Sequence, residues 1–120
     1  MLPLEDQLSG EDFAQAPVSA NSTVLANSIV AKSGQGKLFG FTVYNSNASS
    51  QFILLFDANA LPSDGATAAC VFTVSGSSNL GVNWDLPGRW FTRGCVLCNS
   101  STEPTKTIGA GDCFFDVQYI

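Results

Sequence analysis

The chain has 120 residues, a length that suits one domain with a core of its own. Only 12% of the residues are charged against 45% hydrophobic, and a surface so short of charge is often partly covered by something else. A net charge of −5 offers no basic patch for a phosphate backbone, no run approaches the roughly 18 unbroken apolar residues of a membrane span, and with no histidine the commonest general base and metal ligand is missing.

The charge is unevenly placed. Glu5, Asp6, Glu11 and Asp12 stand near the start with no basic partner, whereas the remainder sets six acids against Lys32, Lys37, Arg89, Arg93 and Lys106. Residues Met1–Asn21 lack period-2 alternation and hold two prolines beside Leu2, Leu4, Leu8 and Phe13. They read either as a disordered tail or as an extended acidic N-terminal arm, 1–21, with a single helical turn near Gly10–Gln15; the arm is the reading taken here. The opening Met1-Leu-Pro-Leu-Glu-Asp6 is unlike a signal peptide, so the chain is expected to be soluble and made in the cytosol.

From Ser22 the pattern is strand after strand. Thr23–Ala31 is β-branched and apolar, and Lys37–Tyr44 places Phe39, Phe41 and Val43 on one face. Gln51–Asp57 is apolar on both faces, which predicts a central strand covered on each side. Ala68–Val74, Asn79–Asp85, Arg89–Asn99 and Asp112–Ile120 complete the set, with turn residues between them and the last strand carrying the C-terminus into the sheet. About seven to eight short strands at this spacing predict an all-β fold, an antiparallel β-sandwich of jelly-roll-like or immunoglobulin-like type over 22–120.

Catalytic chemistry is hard to assemble from these residues. A carboxylate pair for glycoside hydrolysis would have to come from Asp57, Asp64, Asp85, Asp112 and Asp116, most of which sit where turns need them. Lys32-Ser-Gly-Gln-Gly-Lys37 lacks the first glycine, the magnesium-binding hydroxyl and the helix of a phosphate loop. Cys95-Val-Leu-Cys98 falls within a strand, where residues three apart face opposite ways and cannot easily share a metal or a disulfide. The cysteines, Cys70 and Cys113 included, therefore read as small apolar residues, and cross-strand pairing is the alternative. The Asn-x-Ser/Thr triplets at Asn21, Asn47 and Asn99 carry no meaning without secretion. Trp84 and Trp90, with Arg89 and Arg93, flank the turn Asp85–Gly88. They read either as a sugar-binding platform or, preferred here, as aromatics of a hairpin packed into the core or a subunit interface.

The order Val43-Tyr-Asn-Ser46, Gln51-Phe-Ile-Leu-Leu-Phe-Asp-Ala58, Leu61-Pro-Ser-Asp-Gly-Ala66, Asn79-Leu-Gly-Val-Asn-Trp84, Gly88-Arg-Trp-Phe91, Gly94, Asn99-Ser-Ser-Thr102 and Thr105-Lys-Thr107 resembles a compact β-sandwich module of virion structural proteins of tailed bacteriophages. The resemblance covers Lys37 to Ile120. It implies a virion component present in many copies: a capsid decoration (cement) protein, a head fibre or a piece of the tail. With neither repeats nor a coiled-coil shaft for a fibre, a sandwich with an arm fits best a decoration protein that binds the outside of the shell and stabilises it. The partner so implied is the major capsid protein, the oligomer a homotrimer, and the location the capsid exterior after synthesis in the host cytoplasm. On that expectation Glu5, Asp6, Glu11, Asp12 and Phe13 are the candidate contacts of the arm, and no enzymatic activity, cofactor, metal, nucleic acid or membrane is involved. The alternative is a tail, fibre or baseplate module that recognises a neighbouring virion protein, or a host glycan through Trp84 and Trp90.

Overall fold

A computed structural model describes residues 17–85 and 87–120. The candidate arm contacts Glu5, Asp6, Glu11, Asp12 and Phe13, and the helical turn expected near Gly10–Gln15, lie outside the described residues. Within them run nine strands and no helix: β1 (Val18–Asn21), β2 (Ser28–Ser33), β3 (Gly36–Asn45), β4 (Gln51–Phe56), β5 (Cys70–Val74), β6 (Ser78–Asn83), β7 (Arg89–Phe91), β8 (Gly94–Ser100) and β9 (Cys113–Tyr119). One sheet has the order β1-β9-β3-β6, with β7 also on β3, and the other has the order β2-β8-β4-β5. Every pairing is antiparallel. The fold is thus the antiparallel β-sandwich read from the sequence.

The alternation of side chains builds the core between the sheets. Leu38, Phe41, Val43, Phe91, Phe115 and Val117 face inward from one sheet, and Ile53, Leu55, Val74, Cys95 and Leu97 from the other. β4 is also apolar on its second face, where Leu54 and Phe56 join Val96 and Cys98 of β8 in a smaller cluster. That cluster is roofed by the β4–β5 and β8–β9 connections, which contribute Ala58, Ala66, Ala68 and Ile108. The two loops hold each other: Lys106 N–H donates to the Ala66 carbonyl (2.8 Å), Ala68 N–H to that of Pro104 (3.0 Å), and the buried Lys106 ammonium pairs with Asp64. The two-sided apolarity of Gln51–Asp57 therefore reports a third, loop-built layer. Leu54→Ala should cost about 2–5 kcal/mol in urea unfolding, as much as Leu55→Ala. A negligible loss at Leu54 would contradict a packed outer layer.

Four local expectations are corrected. Phe39 does not share a face with Phe41 and Val43, because a bulge between Leu38 and Gly40 shifts the register and puts Leu38 in the core instead. Arg89–Asn99 is two strands in different sheets, broken at Thr92–Arg93, where the Asp57 carboxylate accepts from the N–H groups of Thr92 (3.0 Å) and Arg93 (2.8 Å). β6 and β7 form no hairpin with each other, since both pair along the same side of β3, end to end. Finally, the segment read as arm enters the sheet before its expected end. Val18–Asn21 pair with β9, and Ala20 sits opposite Val117 and packs on the core.

Candidate functional site

The two tryptophans are separated. Trp84 is half-buried and packs with Phe41 and Phe72 at ring-centre distances of 6.1 and 6.2 Å, an aromatic group at the margin of the core. Trp90 is 64% exposed on β7, directly opposite Lys37, whose Nζ lies 4.7 Å from the centre of its ring. A platform made of both indoles is absent; Trp90 stands alone with its lysine.

The carboxylates serve local structure. Asp57 holds the β7–β8 break, and its carboxyl lies below the usual range: burial opposes ionisation, and hydrogen bonds from Thr92, Arg93 and Gly94 outweigh it. Asp64 is lowered by the hydrogen bond from Lys106 and by that from Ile108 N–H. Asp112 accepts from Gln51 Nε2 (2.8 Å), Asn47 Nδ2 (3.0 Å) and Asn99 Nδ2 (3.0 Å), and together these donors outweigh its burial and lower its pKa. Asn99 is fully buried, which denies its triplet a role as a glycan acceptor, and its Oδ1 lies where any side chain at position 109 would begin, 2.7 Å from a Cβ built on Gly109. Asn45 completes this group by accepting from Gln51 Nε2 (2.7 Å) and donating to the carbonyls of Ser49 and Ser75. Each of these polar groups ties one loop or strand to another.

Cys95 and Cys98 face opposite ways as their spacing requires, one in each apolar cluster. Burial pushes the thiols of Cys95 and Cys113 up to about 12 and that of Cys98 to about 11, so they remain protonated at neutral pH. No group of three metal-ligating side chains gathers among the described residues.

Two surface features remain. The first is a trough of about 450 Å3 across the outer face of the β1-containing sheet, floored by Gly40 and Gly81 and rimmed by Pro17, Phe39, Asn83 and Asp116. The second is the edge formed by β1, the following bend and β2. From Pro17 to Ala31 no residue is charged. Four of the seven large hydrophobic side chains exposed among the described residues lie there: Val18 (50%), Val24 (62%), Leu25 (43%) and Val30 (44%).

The bend between β1 and β2 is built to present that surface. Thr23 has φ of 58°, a left-handed conformation that a β-branched residue adopts at a cost of about 1–3 kcal/mol. Its N–H donates to Asn21 Oδ1 (3.1 Å), while Ser22 Oγ donates to the Val24 carbonyl (2.8 Å) and accepts from Phe115 N–H (3.1 Å). Ser22 and Ala26 both hydrogen-bond to β9, so the chain leaves the sheet at Thr23 and returns at Ala26. Val24 and Leu25 are thereby held out from the edge. Sequence reasoning missed this surface by reading Thr23–Ala31 as one strand, although the charge-free run was there to be counted.

Neither a family model nor a curated protein matches the chain. Among solved structures, the coat protein of Tobacco streak virus is similar to it, with a TM-score of 0.48 and 9% sequence identity over 99% of this chain and 88% of that one. A likeness that distant assigns neither family nor function.

Proposed function

We propose that this chain is a non-enzymatic structural component of a virion, and more finely a decoration protein that binds the outside of a capsid shell. The observation that carries the reading is the charge-free apolar edge Pro17–Ala31, held out by a strained bend on an otherwise well-packed sandwich. Monomeric proteins usually blunt their sheet edges with charge, and an edge that runs from Pro17 to Lys32 before it meets one, with Val18, Val24, Leu25 and Val30 exposed along it, is suited to being covered in an assembly. The virion assignment itself rests on the resemblance of Lys37–Ile120 to phage sandwich modules. In this reading the major capsid protein is the partner, the protein acts as a homotrimer on the capsid exterior after synthesis in the host cytoplasm, and residues 1–21 supply an acidic contact through Glu5, Asp6, Glu11, Asp12 and Phe13. Binding to the assembled shell and not to its free subunits would stabilise the shell by mass action, and many copies would add avidity.

The test is sedimentation with shells that lack the protein. The full chain should co-sediment, and a chain without residues 1–16, which keeps β1 and hence the sandwich, should bind at least tenfold more weakly. Full binding by the shortened chain would remove the arm from the account. Exposed Trp90, with Lys37 over its ring, favours one second reading, a tail or fibre module that binds host glycan. Saturable glycan binding lost in Trp90→Ala, with no attachment to shells, would favour it.

A further inference from the structure

We infer that the partner covering the Pro17–Ala31 edge is a second copy of this chain, with Val24 and Leu25 at the centre of the contact. The inference rests on the reading above that this edge is covered in an assembly, and it names the partner.

The argument is one of charge. Two copies at −5 each repel, and among the described residues the acids Asp57, Asp64, Asp85, Glu103, Asp112 and Asp116 lie outside the edge. Gly65–Trp84, which carries the opposite edge strands β5 and β6, is also free of charge, but no large hydrophobic side chain is exposed there. The lack of charge and the exposed apolar side chains coincide at Pro17–Ala31, and two copies meeting there bring no carboxylate of the run against another. Two described carboxylates neighbour the run in the sheet. Asp116, opposite Asn21 on β9, alternates with the buried Phe115 and Val117 and so belongs to the outer face. Asp112, next to the Cys113 that bridges Ala26, is engaged by Asn47, Gln51 and Asn99. A different partner selected for a chain of this charge would be expected to offer bases to those acids, and this edge presents it with none. Apolar side chains, by contrast, need no opposite charge on their partner, so the same patch can face itself across a symmetric contact between identical copies. No described residue pairs with the outer side of β1, so its backbone groups are available to the same neighbour.

The run holds 15 residues, Pro17 to Ala31, fewer than the roughly 20–30 a side of a standard interface, so association is expected in the micromolar range. Sedimentation velocity on the full chain from about 1 to 200 µM should show concentration-dependent association. Leu25→Asp and, separately, Val18→Asp should weaken it at least tenfold while leaving the thermal midpoint unchanged, since both side chains are exposed. A full chain that stays monomeric throughout, or association indifferent to both substitutions, overturns the inference. If the full chain is monomeric and only a chain lacking residues 1–16 associates, the protein's own N-terminal segment is the occupant and the inference is equally overturned. A monomer that still binds shells would sink this inference and the homotrimer with it, and leave attachment to the shell standing. An associating protein that ignores shells would do the reverse.

Discussion

Gly94→Ala is expected to lose at least about 4 kcal/mol, and with a total stability of about 5–15 kcal/mol for a domain of this kind it should give little soluble folded protein. Gly94 opens β8 at the point where the chain crosses from one sheet to the other. A Cβ there would run into the Ala58 carbonyl oxygen and lie 2.6 Å from that of Lys32. Both obstacles are backbone, so no change of rotamer relieves them. The strands on either side would have to part, and with them the hydrogen bonds that Asp57 makes to Thr92, Arg93 and Gly94. Gly81→Ala is the matching control. A Cβ at Gly81 meets only Thr42 Cγ2, at 4.0 Å, so that variant should stay within about 0.5 kcal/mol of the parent in urea unfolding. Equal stability of the two variants would show that the crossing is not closely packed.

Asp112→Ala should cost about 2–4 kcal/mol at pH 7, because it strips an acceptor from three amide groups at once. Gln51 on β4, Asn99 on β8 and Asn47 in the β3–β4 connection all donate to this one carboxylate at the mouth of β9. The group joins both sheets at one end of the sandwich, and Asn99 cannot turn to water because it is fully buried. The effect has a pH signature. The Asp112 carboxyl is lowered in the folded protein, so its contribution is complete above the ordinary carboxylate value of about 4 and is lost as pH falls through the lowered folded value. Asp57 and Asp64 are lowered as well and act in the same direction. The urea midpoint of the parent should therefore fall below about pH 4, and the gap between parent and Asp112→Ala should close there. A gap unchanged from pH 7 to pH 3 would mean that the carboxylate charge is not what the amides hold.

What could be read without coordinates was what local pattern encodes. β4 announced itself as a covered central strand because Ile53, Leu54, Leu55 and Phe56 leave no polar face, and all four are buried. β9 was equally plain, since Cys113, Phe115 and Val117 alternate with exposed Phe114 and Asp116. The spacing of Cys95 and Cys98 predicted their opposite faces. The failures share a cause in distant contacts. Nothing near Thr92 says that Asp57, 35 residues earlier, will break a strand there. The bulge at Phe39 is a matter of register against β9, and the lodging of Trp84 against Phe41 and Phe72 depends on three separate strands or their ends. The edge was missed for another reason: β-branched, apolar Thr23–Ala31 has the composition of a strand, and only the backbone shows Thr23 turning out of it.

The central claim, that this sandwich works by attaching to a shell, is tested most directly by electron cryomicroscopy of shells assembled without the protein and then incubated with the full chain. The account predicts density for the sandwich at regular lattice positions on the outer surface, at fixed stoichiometry and in contact with the major capsid protein. Bare shells at saturating protein, or density scattered without regard to the lattice, would contradict it.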